Sequence, residues 1–79
     1  MNLVGELRKY KKNSVGLSMW QTQECGYWSG NNLMPDDIFV ILEEKTNYSE
    51  TIMAKVLRVD GKTGWVSKRY AMERSEPLV

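Results

Sequence analysis

At 79 residues the chain has room for one domain around a small core, which excludes a second lobe or a bundle of long helices. Lys and Arg number 11 against 10 Asp and Glu, a formal charge of +1, without the basic excess that marks an electrostatic nucleic-acid binder. Histidine is absent and Cys25 is the single cysteine, so an internal disulfide and a Cys/His zinc site are excluded and the usual thiol-activating base is missing.

No catalytic activity, cofactor or metal is therefore expected. The adjacent carboxylates Asp36-Asp37 and Glu43-Glu44 do not change this, because neighbours on a strand point to opposite faces and cannot share an acid/base site. The N-terminal residues lack the apolar run of a secretory signal, and no stretch approaches the roughly 20 apolar residues of a membrane span. A lone cysteine favours a reducing compartment. The expectation is a soluble cytoplasmic protein without a membrane partner, or a virion-associated one if it comes from a phage.

Residues 3–12 begin with Leu3, Val4 and Leu7 and pass into Arg8-Lys9-Tyr10-Lys11-Lys12. This predicts a short edge strand with a solvated basic end. The same residues are candidates for an anion or nucleic-acid contact, with Tyr10 as a stacking surface, unless Glu6, Glu43 and Glu44 neutralise them. After Asn13-Ser14, Val15, Leu17 and Met19 alternate with Gly16, Ser18 and Trp20 in the period of a half-buried strand, which places Leu17 and Met19 in the core.

Residues 21–37 carry two glycines, paired asparagines and a proline, and predict a long irregular excursion without a regular element. Cys25, beside Gly26, reads as a small, partly buried residue. Tyr27 and Trp28 serve equally well as ligand contacts or as loop anchors, while Trp20, at a strand end, reads as structural. Ile38-Phe39-Val40-Ile41-Leu42 is the most apolar run and predicts the central strand. A loop tip at Asn47-Tyr48-Ser49 leads into a strand from Ile52 to Val59.

Leu57 and Val59 alternate with polar positions, Asp60-Gly61 supplies a turn, and Gly64-Trp65-Val66 begins a return strand. One of Gly61 and Gly64 is expected in a backbone conformation costly to other residues. Ala71-Met72-Glu73 predicts a last short strand, and residues 74–79 a loose tail. Together these runs predict an all-β fold of five short strands closed into a small barrel, with Leu17, Met19, Phe39, Ile41, Leu57, Val59 and Val66 in its core.

The stretch Asp60-Gly61-Lys62-Thr63-Gly64-Trp65-Val66-Ser67-Lys68-Arg69-Tyr70 resembles the C-terminal motif of bacterial-type SH3 (SH3b) domains, in which a distal hairpin feeds a final strand through one short helical turn. The resemblance covers residues 14–73 of what reads as a single SH3-like domain over residues 1–79, and it implies a five-stranded SH3-like barrel with a long RT-type loop at residues 21–37. Tyr70 matches a tyrosine of the SH3 ligand groove. Ser67 stands where peptide-binding members carry a proline, a groove Trp is missing near Met53-Ala54, and the RT loop offers Glu24 in place of an acidic cluster, so polyproline recognition is not expected.

The aromatic loop residues and the Tyr70 match together lead to the expectation of a non-catalytic interaction module for a protein or peptide, with Tyr27, Trp28, Trp65 and Tyr70 as candidate ligand-binding residues. Two alternatives remain open. One is a nucleic-acid-binding SH3-like barrel using Arg8, Lys9, Lys11, Lys12, Lys68 and Arg69, with Tyr10 or Trp65 stacking on bases. The other is a cell-wall-binding SH3b accessory domain. Apolar residues outside the expected core, namely Leu3, Val4, Leu7, Leu33, Met34, Met53 and Met72, exceed what a small barrel can bury. A homo-oligomer through the N-terminal segment and a monomer are both compatible with that surplus.

Overall fold

The computed structural model describes residues 4–78. In chain order it contains β1 (Leu7–Tyr10), β2 (Leu17–Trp20), β3 (Trp28–Leu33), β4 (Ile38–Thr46), β5 (Ile52–Arg58), β6 (Thr63–Ser67), α1 (Lys68–Glu73) and β7 (Ser75–Pro77). All seven strands join one antiparallel sheet in the order β3-β2-β6-β5-β4-β1-β7. The fold is all-β with one short helix, and the sheet has two strands more than the five expected.

A single sheet with one short helix buries a core only by curling over its own inner face. The register shows which side chains line that face. Phe39 pairs with both Arg8 and Arg58, Ile41 with Val56, Val56 with Gly64, and Ala54 with Val66. Phe39, Ile41, Ala54, Val56 and Val66 are fully buried together with Tyr10, Met19, Leu33 and Ala71. Gly64 lets β2 approach β6 closely, since a Cβ there would lie 2.6 Å from Met19 Cβ.

Of the seven expected core residues, Met19, Phe39, Ile41 and Val66 are buried and Leu17 packs against the cluster. Leu57 is half-buried and pairs with Val40. Val59 is 74% exposed, because β5 ends at Arg58 and Val59 opens the turn. That turn has three residues: Arg58 N–H donates to the Lys62 carbonyl (2.8 Å), Gly61 N–H donates to the Arg58 carbonyl (2.9 Å), and Gly61 takes φ +90°. This is the geometry of a type I turn completed by a left-handed glycine, which joins antiparallel strands without splaying them.

Four other expectations are corrected. β1 is an interior strand, because β7 pairs along the side that was expected to face solvent. Residues 21–37 hold a regular element, β3, whose polar sequence is ordered by pairing with β2 and by Arg58 Nη1 donating to the Asn32 carbonyl at 2.7 Å. Residues 71–73 continue α1, and residues 75–77 form β7 where a loose tail was expected. Among the surplus apolar residues, Leu33 and Met53 are buried and Met72 packs on the core, while Val4, Leu7 and Met34 are exposed. Leu3 lies outside the described residues.

Candidate functional site

β6 runs directly into α1 at Ser67, and the first turn of that helix carries Tyr70 to the surface beside the β4–β5 connection. Two open grooves meet there. One, of about 580 Å³, is lined by Glu50, Thr51, Ile52, Ser67, Lys68, Arg69, Tyr70 and Met72. The other, of about 530 Å³, runs from Thr51, Ser67 and Tyr70 past Met53, Trp20, Leu17 and Ser18 to Glu24, Cys25, Asn47 and Ser49. Thr51, Ser67 and Tyr70 therefore form the ridge common to both.

Tyr70 is 44% exposed, and the Arg74 guanidinium lies over its ring, 4.7 Å from the centroid. A cation over the ring of an exposed tyrosine contributes about 0.5–1 kcal/mol and favours the orientation seen here. Ser67 lines both grooves. The surface thus offers the aromatic rings of Trp20 and Tyr70, the hydroxyl groups of Ser18, Ser49, Thr51 and Ser67, and the apolar side chains of Leu17 and Met53, a mixture suited to an extended chain that presents both side chains and backbone polar groups.

The structure distributes the other candidate residues differently from the expectation. Tyr27 and Trp28 are exposed but line neither groove. Trp28 Nε1 donates to the Asn31 carbonyl (2.9 Å) and to Asn32 Oδ1 (3.1 Å), which ties its ring to its own strand. Trp65 is only 6% exposed, with Lys45 Nζ 6.0 Å from its ring centroid, so it offers little surface to a ligand or a base. The register places Trp28 opposite Trp20 and Trp20 opposite Trp65, so all three tryptophans stand in one row across β3, β2 and β6. Sequence spacing hides that row, since it depends on the irregularity between Met19 and Trp20. Trp20, read as structural, is the tryptophan that reaches the groove.

The basic residues are largely engaged. Arg8 is 7% exposed, ion-paired with Glu6, and its Nε and Nη2 donate to Ser75 Oγ (2.7 Å) and the Ser75 carbonyl (3.0 Å). Tyr10 is fully buried and its hydroxyl donates to the Val15 carbonyl, so neither residue presents a surface to phosphate or base. Lys9 pairs with Asp36 (3.9 Å), Lys68 with Glu44 (2.8 Å) and Arg69 with Glu73 (3.2 Å), while Lys11 Nζ donates to the Glu73 carbonyl (3.2 Å). Lys12 is exposed.

Cys25 is half-buried at φ +61°. Burial raises its thiol above the ordinary value, and the neighbouring Glu24 charge raises it further, which keeps the sulfur protonated near neutral pH and a poor nucleophile. Among the described residues no group of three His, Cys, Asp or Glu side chains is placed to hold a metal ion, and no helix is long and apolar enough to cross a membrane. Comparisons with family models, curated proteins and solved structures found no match.

Proposed function

We propose that this chain is a non-catalytic binding module of SH3-like fold that holds an extended peptide segment of a protein partner in the double groove around Tyr70. The observation that carries the reading is that Tyr70, the residue matched to the SH3 groove tyrosine, is the wall shared by two adjoining grooves. The element order supports the fold part of the reading. The consecutive neighbours β6-β5-β4 and the β5–β6 hairpin that runs into α1 follow the order that the resemblance implies over residues 14–73, whereas β1 and β7 lie outside that range. The RT-type loop expected at residues 21–37 holds β3, which pairs with β2, and β2 joins β6 through Trp20 and Trp65.

The test is selection of peptides on the wild-type domain from a random displayed library, followed by titration of the best peptide against variants. Tyr70→Ala is expected to weaken binding at least about tenfold, as loss of an aromatic anchor usually does. Trp28→Ala, outside the grooves, is expected to change it less than about threefold. Equal binding by wild type and Tyr70→Ala would refute the groove as the site. A large loss only in Trp28→Ala would move the site to the exposed aromatic pair Tyr27 and Trp28.

A further inference from the structure

Two loops contribute adjoining residues to the lining of the second groove, residues 21–27 and residues 47–51, and hydrogen bonds tie one to the other. Asn47 is their hub. Its Oδ1 accepts from Ser49 N–H (2.9 Å) and Thr51 N–H (3.0 Å), its own N–H donates to the Thr51 carbonyl (3.0 Å), and its carbonyl accepts from Glu50 N–H (3.0 Å). These bonds close the β4–β5 connection as a compact turn. With two N–H donors aimed at Oδ1 the orientation of the amide is determined, so Nδ2 must point away from the turn. There it donates to the Gln23 carbonyl at 3.3 Å.

A second bond bridges the same gap, from Tyr48 N–H to Glu24 Oε1 at 3.0 Å. Gln23 and Glu24 belong to a loop closed by its own bonds, Gln21 N–H to the Tyr27 carbonyl (2.8 Å) and Cys25 N–H to the Thr22 carbonyl (3.1 Å). Apolar anchoring contributes little, because the large side chains of the two loops, Tyr27 and Tyr48, are 72% and 93% exposed. Glu24, Cys25, Asn47 and Ser49 all line the groove, so the placement of the two loops against each other shapes that end of it.

We propose that Asn47 and Glu24 form a clasp that holds these loops at one spacing, which makes Asn47 the positioning residue of the groove. Released loops sample many separations, and a ligand would then have to order both on binding. The consequence for affinity rests on the groove being the peptide site; the clasp itself is a property of the free protein and is tested there.

Asn47→Asp separates the two roles of the side chain. It keeps an acceptor for Ser49 and Thr51 but sets a second carboxylate oxygen against the Gln23 carbonyl, acceptor against acceptor. Amide hydrogen exchange on the free full-length chain is expected to speed up roughly 3- to 10-fold at Tyr48 and Cys25, the effect of losing about one neutral hydrogen bond, with Ser49 and Thr51 still protected. Glu24→Ala, which leaves the Asn47 bonds to Ser49 and Thr51 in place, is expected to give at least the same rise at Tyr48 and Cys25, and it carries the test alone if Asn47→Asp does not fold. Unchanged exchange at both amides in the folded variants would overturn the clasp. Faster exchange with unchanged affinity for the library-selected peptide would leave the clasp standing and count against the groove as the peptide site.

Discussion

A methyl group added at Gly64 would lie 2.6 Å from Met19 Cβ and 3.2 Å from its carbonyl carbon, and a backbone atom cannot move aside as a flexible side chain can. Gly64→Ala is therefore expected to cost about 1–3 kcal/mol in urea unfolding by forcing β2 away from β6. Gly61 has open space around it but φ +90°, so Gly61→Ala is expected to cost about 1 kcal/mol through backbone strain alone. A reversed order of the two losses would show that the β2–β6 contact is softer than its distances imply. In the same turn the Arg58 guanidinium donates to Asp60, which, with the Lys62 N–H, holds the Asp60 carboxyl at about 2 against an ordinary 3.8. A pKa lower in the folded state gives stability that is present above 3.8 and lost as the pH falls through about 2. Asp60→Asn is expected to flatten thermal stability across that window, and added salt to shrink the wild-type effect, because the carboxylate is exposed. Identical pH profiles for the two proteins would refute the assignment.

At the scale of elements, the strands legible in the sequence are those whose own side chains specify them. Ile38-Phe39-Val40-Ile41 reads as a buried strand whatever surrounds it, and Asp60-Gly61 followed by Gly64-Trp65-Val66 reads as a hairpin, while the helical turn after it is implied only by the SH3b resemblance. The missed elements depend on partners distant in sequence. Trp28-Ser29-Gly30-Asn31-Asn32-Leu33 has the composition of a loop and becomes a strand because β2 lies beside it. Arg8 and Tyr10 read as surface residues and are buried because β7 returns from the far end of the chain to cover them. Ser75 is the link in that cover: it accepts from Arg8 Nε, and its hydroxyl donates to the Ala71 carbonyl. Ser75→Ala leaves a buried guanidinium N–H without its acceptor and is expected to cost about 1–3 kcal/mol in urea unfolding. Glu76→Ala, at an exposed position of the same strand, should stay within about 0.5 kcal/mol of wild type. Equal effects would mean that β7 contributes backbone pairing only.

For the whole molecule, the sheet order puts neighbours of very different sequence separation side by side. The strands β4, β5 and β6 are joined by residues 47–51 and 59–62, so their pairing closes only short loops. Pairing β1 with β4 closes a loop of residues 11–37, and pairing β1 with β7 brings together residues 7–10 and 75–77 at opposite ends of the chain. Closing a longer loop costs more entropy before any contact rewards it, so the three-stranded meander should form first and the β1–β7 cover last. The buried Val56, paired with Ile41 on one side and Gly64 on the other, sits at the centre of the meander. Val56→Ala is expected to slow folding, with a φ-value of about 0.5–0.8, whereas Ser75→Ala should mainly speed unfolding, with a φ-value of about 0–0.3. Stopped-flow chevrons on these two variants measure both. The reverse pattern would place closure of the chain ends ahead of the meander, and the Tyr70 ridge, which rests on the end of β6 and on α1, would then form only after the ends had met.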